Sequence, residues 1–550
     1  MSTTPTLAET RRTARESFGW DTLLPGQAEA IASVTGGRDT LVVFPTGAGK
    51  SAVYQIAGLE RGGVTLVISP LLALQRDQVA SIDAAPDAPA AVALNSRSSA
   101  RSEREAWAAI ESGEPVYAFL APEQLTRDGV LRRLKDADVR LLVVDEAHCV
   151  SAWGHDFRPD YARIGDAVAE LGHPPILALT ATASTPVRTD IIERLGMRDP
   201  HLEVRGMDRP EIHLAVRRHE DDAAKRRAVV DEVAAEAGPS LLYVATRRET
   251  GEYAAALEER GRRTAAYHGG MSMKDRDAVH AAWSAGELDV VVATSAFGMG
   301  IDKADVRLVA HADVTESLDS YAQEIGRAAR DGQPARAVLH YRPEDFSVRS
   351  FFAAGRSKPA DVAAVWSALN QAAGRVRAKA VAEAAGLSAR AASRILGALV
   401  TVDGATSTAK GFAARAGRTR EDVVDAVRDE EDAQRRIRES RIAVMRSYAE
   451  ATRCRRIALL DYFGVDTPDA CGACDRCDAA DAAGDKTGAA SPANERIDDD
   501  LHPDDAVHHA EWGAGTVVSV DDDRMTVFFE QQGYKVVARE ALDRGILDVA

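Results

Sequence analysis

Cysteines, aromatic residues and long apolar runs are all scarce in this chain of 550 residues. Only five cysteines occur, and four of them crowd between positions 454 and 477. So few thiols exclude a disulfide-stapled secreted scaffold, and their clustering in a reducing compartment points to a metal. No apolar run approaches the ~20 residues that a membrane span requires. The opening stretch, MSTTPTLAETRRTARESFGW, lacks the apolar core of an export signal, so a cytoplasmic protein is expected. Net positive charge is also missing: 68 Lys and Arg face 85 Asp and Glu, for a formal charge of −17. That excludes a protein that coats nucleic acid with a uniformly basic surface. A local basic groove remains open to it, because charge acts over a Debye length of about 10 Å. The remaining composition, 45% hydrophobic and 28% charged, is that of a soluble globular protein. Its length exceeds what one core organises.

Up to about residue 205, short apolar runs alternate with helical patterns. The runs are 40–44 (TLVVF), 65–69 (TLVIS), 116–120 (VYAFL), 141–144 (LLVV) and 176–179 (ILAL). A second set follows at 240–244, 264–268, 289–294, 306–311 and 337–341. Alternation of this kind predicts a parallel sheet with helices on both faces. The fold expected is therefore α/β, with two tandem lobes (1–205 and 206–345), a cleft between them and a hinge at GMDRP (206–210). Residues 359–415 switch to short helices. Within them 381–400 reads as helix, tight Gly-Leu-Ser turn, helix, with Ser388 as N-cap, and a polar hairpin follows at 402–412. Such a unit is winged-helix-like. Residues 416–478 read as long exposed helices leading into the cysteines. An Ala/Asp/Gly/Ser-rich linker (479–504) and a small β-rich tail (505–550) complete the order.

The most informative stretch is DEAHCVSAWGHDFRPDY, 145–161. It leaves a buried strand (141–144), which puts Asp145 and Glu146 at a strand's carboxyl end, where open α/β sheets hold ligands. An Asp there holds Mg²⁺, and a neighbouring Glu polarises water for phosphoanhydride hydrolysis. Trp153, His155, Phe157 and Arg158 offer the flat groups that stack on unpaired bases. Upstream, FPTGAGKS (44–51) stands between strand and helix, as a phosphate loop requires. Its Thr46, Gly47, Ala48 and Gly49 bring backbone N–H groups to the phosphates, Lys50 reaches the β/γ-phosphates, and Ser51 joins Asp145 on Mg²⁺. In the second lobe, Arg327 and Arg330 of QEIGRAARDG (323–332) lie three apart, on one face if the segment is helical, and can cross the cleft to a γ-phosphate.

Together these pieces resemble the RecQ family of superfamily 2 DNA helicases, from about Phe18 to Tyr341 and again from Cys454 to Cys477. The carrying motifs are FGWDTLLPGQ (18–27), PTGAGKS (45–51), SPLLALQRDQ (69–78), DEAH joined to WGHDFRPDY (153–161), LTATA (179–183), ATSAFGMGIDKADVR (293–307) and QEIGRAARDG. The resemblance implies two RecA-like lobes, ATP and Mg²⁺ as nucleotide and cation, and DNA as substrate. By it Gln27 reads the adenine edge, with Trp20 as an aromatic neighbour. Thr180 and Thr182 couple the cleft to DNA, and Gly300 and Asp302 couple nucleotide state to the second lobe. His155 and Trp153 report bound DNA to Glu146. The chain departs from the family pattern at Leu24, where Arg is usual, and at Ile325 and Ala329, where Thr and Gly are usual.

Cys454, Cys471, Cys474 and Cys477 follow a C-x16-C-x2-C-x2-C pattern. It suits tetrahedral Zn²⁺, although iron–sulfur clusters use similar runs. The CRR…LLDYFG lead-in matches the RecQ zinc module, so the resemblance implies structural zinc. The family's winged helix usually follows the zinc; here the winged-helix-like unit precedes it. The tail (506–537) resembles the Tudor-like barrel of UvrD/PcrA helicases, which implies a docking site for a protein such as RNA polymerase. The expected activity is ATP-dependent 3′–5′ unwinding of DNA in recombination and repair. Two other readings share these residues: a translocase or annealing remodeller with little unwinding, and an ATP-gated DNA-binding adaptor that docks a partner through its tail.

Overall fold

The computed structural model describes residues 5–70, 72–95, 99–127, 129–151, 153, 161–298, 303–353, 356–408, 411–465, 470–482, 501–503, 505–520 and 523–549. Its first sheet comprises β1 (Thr40–Val43), β2 (Val64–Ile68), β3 (Ala90–Leu94), β4 (Val116–Leu120), β5 (Val139–Val144), β6 (Ile176–Thr180) and β7 (His201–Val204). All pair in parallel, in the order β3-β4-β2-β5-β6-β1-β7. β1, β2, β4 and β6 are buried along their whole length. A strand covered by helices on both faces needs such an unbroken apolar run. The order leaves β5, β6 and β1 side by side, so their carboxyl ends form one row.

The second sheet comprises β8 (Ile212–Arg218), β9 (Ser240–Tyr243), β10 (Thr264–Tyr267), β11 (Val290–Ala293), β12 (Leu308–His311) and β13 (Ala335–Tyr341). It too is parallel throughout, in the order β10-β11-β9-β12-β13-β8. Apolar runs anticipate the interior strands of both sheets. They miss β3, β7 and β8, which lie at sheet edges and include exposed or charged positions. An edge strand buries less, so its sequence carries a weaker signal.

Helices Pro359–Gln371, Ala378–Ala385 and Ala389–Thr401 follow, the last capped by Ser388, whose Oγ accepts from the Ala391 amide at 3.2 Å. A hairpin of β14 (Ala405–Thr408) and β15 (Gly411–Ala414) comes next. One helix then runs unbroken from Arg420 to Glu450, opened by a Thr419–Asp422 capping box. The expectation of exposure holds for its first half only. Between Ile437 and Ala449 it is largely buried, because lobe 2 packs on it and the tail lies along it. The tail is a five-stranded antiparallel sheet: β16 (Ala506–His509), β17 (Gly513–Val520), β18 (Arg524–Phe529), β19 (Gly533–Ala538) and β20 (Leu547–Val549). Its order is β19-β18-β17-β16-β20, so β19 and β20 form its edges. Most of the expected linker lies outside the described residues. No described helix is long and apolar enough to cross a membrane.

Candidate active site

The phosphate loop follows β1. Gly47 and Gly49 adopt the left-handed backbone region, at φ +87° and +67°. A side chain at Gly49 would meet the Gln27 amide at 2.5 Å, so this position admits no Cβ without displacement. Helix Lys50–Arg61 starts immediately after, with its unpaired N–H groups and positive dipole end at the loop. Lys50 Nζ donates to the Phe44 and Pro45 carbonyls at 3.0 and 3.3 Å, folded back over the loop. Burial pulls its ammonium below the ordinary lysine range; Glu146 and Asp145 oppose the shift and Arg330 adds to it. Gln27 is buried, and its amide donates to the Ala48 and Gly49 carbonyls at 3.2 and 3.0 Å. Its oxygen accepts from the Leu24 amide at 2.8 Å. In this state Gln27 buttresses the loop that Thr46, Gly47 and Ala48 build. Trp20 stacks on Phe18 (centroids 4.9 Å apart, planes at 13°), and Leu24 is exposed.

Asp145 and Glu146 emerge at the end of β5. The Asp145 carboxylate accepts from Ser69 Oγ at 3.3 Å and from the Glu146 amide at 3.0 Å. Burial first, and the Glu146 charge second, push Asp145 up to about 7, against the pull of Lys50. Two carboxylates crowded in one buried pocket are an excess of negative charge that a divalent cation offsets. With Ser51 in the first turn of the facing helix, the donor set fits Mg²⁺. Glu146 itself sits at φ +50°, which strains a residue with a side chain by about 1 kcal/mol and turns the chain sharply out of the strand.

Motif reasoning overlooked His148, although DEAH contains it. Its Nδ1 lies 3.3 Å from the Glu146 carboxylate and 3.0 Å from Thr180 Oγ1. Thr180 donates its own hydroxyl proton to the Thr182 carbonyl at 3.0 Å, so Nδ1–H is the donor towards Thr180. A continuous polar chain therefore runs Glu146–His148–Thr180–Thr182. The aromatic-rich loop is tied to the same point. The buried Tyr161 hydroxyl donates to the Asp145 carbonyl at 3.0 Å, and the Trp153 amide donates to Ser151 Oγ at 3.1 Å. His155, Phe157, Arg158, Gly300 and Asp302 lie outside the described residues.

The two arginines part company. The helix Leu318–Ile325 ends before them, and they stand in a turn, not on one helical face. Arg330 reaches the phosphate loop, its Cδ 3.3 Å from where a Gly47 Cβ would stand. Arg327 is 2% exposed and lies within lobe 2 over Gly298. Ala329, between them, adopts φ +55°, the region that favours the glycine usual in the family. What holds this turn is Arg209 in the hinge, another residue the motifs did not single out. Its guanidinium donates to the Gly326, Ala328 and Ala329 carbonyls at 3.1, 2.9 and 3.1 Å and pairs with Glu211. Around these groups lies a cleft lined by Thr46, Thr182, Arg209, Gln323 and Phe463. Arg209→Ala is expected to lower kcat for ATP about tenfold to a hundredfold with KM little changed, because it misplaces Arg330 without touching nucleotide. Arg209→Lys, a point charge with no planar fork, restores little of it. Steady-state kinetics beside an unchanged thermal midpoint checks this.

The four cysteines converge. Their sulfurs all lie within 4.8 Å of one another, with Cys454–Cys474 and Cys471–Cys477 at 3.8 Å and Cys474–Cys477 at 3.5 Å. Four thiolates at ~2.3 Å from one tetrahedral zinc stand about 3.8 Å apart. The set is a closed structural zinc site. A multi-iron cluster, which spreads its four thiolates over two or four irons, needs them further apart than this.

Residues 24–190 match the DEAD/DEAH box helicase family, 224–332 the helicase conserved C-terminal domain, and 417–478 the RecQ zinc-binding domain. Residues 501–543 match a family described as a protein of unknown function, DUF3553. The chain is 38% identical over 344 residues to the probable ATP-dependent DNA helicase RecS of Bacillus subtilis, covering 62% of this chain and 69% of that protein. It is 39% identical over 331 residues to the ATP-dependent DNA helicase RecQ of Haemophilus influenzae, covering 60% of this chain but about half (53%) of that one. The fold resembles the DUF1998 helicase MrfA in its DNA-bound crystal structure, with a TM-score of 0.51 at 15% identity over 76% of this chain and 64% of that one. With a phosphate loop facing an arginine across a two-lobed cleft, DEAH wired to an aromatic loop, and a four-cysteine zinc module, the chain belongs to the RecQ family of ATP-dependent DNA helicases.

Proposed function

We propose that this chain couples ATP hydrolysis to 3′–5′ movement along single-stranded DNA and to duplex unwinding in recombination and repair. The observation that carries the reading is the direct wiring of hydrolytic groups to the aromatic loop. Tyr161 holds the loop's far end on the Asp145 carbonyl, and His148 joins Glu146 to Thr180. A base stacked on the loop would move the residues that orient the attacking water. Lys50 and the loop amides would bind the β/γ-phosphates, with Trp20 and Gln27 on the adenine side. Asp145 and Ser51 would hold Mg²⁺, which neutralises charge on the transferring phosphoryl group. Glu146 would orient water, and Arg330 would stabilise the transition state from the second lobe. Arg327, joined through lobe 2 to the same turn, would respond to closure. Trp153, His155, Phe157, Arg158, Thr180 and Thr182 would face DNA, and Gly300 and Asp302 would report nucleotide state to lobe 2. The exposed apolar side chains of the tail, Val536, Ile546 and Val549, would suit a docked protein such as RNA polymerase.

Displacement of a labelled strand from duplexes with a 3′ or a 5′ tail, with ATP and Mg²⁺, tests the proposal. Displacement from the 3′-tailed duplex alone, abolished by Lys50→Ala, is expected. DNA-stimulated hydrolysis without displacement from either duplex would leave a translocase instead.

A further inference from the structure

The tail sheet covers the element that the proposed function assigns to DNA sensing. Phe528 of β18 meets Trp153 edge-on, with ring centroids 4.7 Å apart and planes at 84°. Gly533, at φ +73°, brings the start of β19 so close that a Cβ there would stand 2.9 Å from the Trp153 ring and 2.6 Å from Ser440 Oγ. Tyr534, 1% exposed, shares a 2.7 Å hydrogen bond with Ser184, two residues beyond Thr182 in lobe 1. The same ring packs on Tyr462 of the zinc module (centroids 5.7 Å), whose hydroxyl donates to the buried Asp319 of lobe 2 at 2.6 Å. One tail residue thus links lobe 1 to the zinc module and, through Tyr462, to lobe 2. The charge is also wrong for DNA. Between 501 and 550 there are ten acidic residues and four basic ones, so the segment as a whole carries net charge of the sign that repels a phosphate backbone.

We infer that the tail is an intramolecular latch: seated on Trp153 and Ser184 it holds the lobes in one arrangement and excludes single-stranded DNA, and DNA that takes Trp153 displaces it. The latch rests on the reading of the aromatic loop as a DNA sensor. Its geometry explains why a single side chain is enough to weaken it. Tyr534→Phe keeps the ring in its pocket and removes the hydroxyl's bonds to Ser184 of lobe 1 and to Tyr462, which shifts a closed–open balance by about threefold to tenfold. Phe528→Ala removes the ring that covers Trp153.

The experiment uses the full chain and labelled oligo(dT), with affinity read by fluorescence anisotropy and tail protection by hydrogen exchange of residues 524–538. Saturation with oligo(dT) is expected to deprotect that segment. Both variants are expected to bind oligo(dT) about threefold to tenfold more tightly and to hydrolyse ATP faster without DNA. Bound oligo(dT) with tail protection unchanged would overturn the latch alone, as would weaker binding by the variants, which would make the tail part of the grip. No binding by any of the three proteins would overturn the DNA-motor reading and the latch with it.

Discussion

Arg330→Ala is expected to lower kcat for ATP by roughly a thousandfold, while the KM for ATP moves less than about tenfold. The argument rests on position. Arg330 is the lobe-2 guanidinium that lies against Gly47 of the phosphate loop, and it already depresses the Lys50 ammonium. Two cations converging on one point are repulsive until a polyphosphate lies between them. The attraction would then grow as negative charge develops on the equatorial oxygens in transfer, so on the proposed reading the arginine would act chiefly in the transition state. Arg330→Lys is expected to recover little, because an ammonium offers no planar fork for two oxygens. DNA binding without nucleotide should stay intact. A kcat within tenfold of the parent would show that Arg330 is a packing residue and that charge stabilisation comes from elsewhere. Arg327→Ala should behave differently. That side chain is enclosed in lobe 2 beside Tyr243, whose titration it influences, so its loss should lower the thermal midpoint as well as the rate.

Arg330 also illustrates what the sequence discloses and what it conceals. QEIGRAARDG announces two arginines able to reach a cleft, and the lobe that carries them is legible from its buried parallel strands. Which arginine reaches the phosphate loop is not legible, because that depends on where the helix stops. It stops at Ile325, and the left-handed Ala329 then swings Arg330 outwards while Arg209, over a hundred positions earlier, clamps the turn. His148 was hidden differently: it stands inside a recognised motif, but its bridging role needs Thr180 brought alongside by the pairing of β5 with β6. The long helix 420–450 shows the limit of composition. Its charged sequence reads as solvent-exposed, yet half of it is a seat for the tail. No local pattern predicts that Ser184 meets Tyr534, 350 positions away. Periodicity reports that a face is apolar, not which partner covers it.

Cys474→Ser is expected to have the largest effect on stability. It should reduce bound zinc from one ion per chain to a small fraction, and destabilise the module by at least about 5 kcal/mol, part of the ~10–16 kcal/mol that structural zinc supplies at neutral pH. Cys474 is the cysteine on which most depends. It is fully buried, and it forms a parallel bridge with Leu214 of β8, whose amide donates to the Ala473 carbonyl at 3.2 Å. Zinc thus adds a segment to the edge of the second sheet. The neighbouring arginines extend the effect to the cleft. Arg455, 1% exposed, donates to the Tyr448 and Ala449 carbonyls at 2.7 and 3.2 Å and pairs with Asp475 at 3.1 Å. Arg456 pairs with Asp208 at 3.0 Å and donates to the Ile212 carbonyl at 2.8 Å, which ties the module to the hinge one residue from Arg209. Without zinc these buried guanidinium groups lose their partners, and an unpaired buried charge is far more costly than the pair it leaves. Local hydrogen exchange should therefore rise in 454–482 and 212–218 first, before lobe 1 is affected. Metal content by elemental analysis, together with exchange measured on the same sample, checks both parts. Full zinc loss with these two segments still protected would mean that apolar packing alone holds the module on lobe 2.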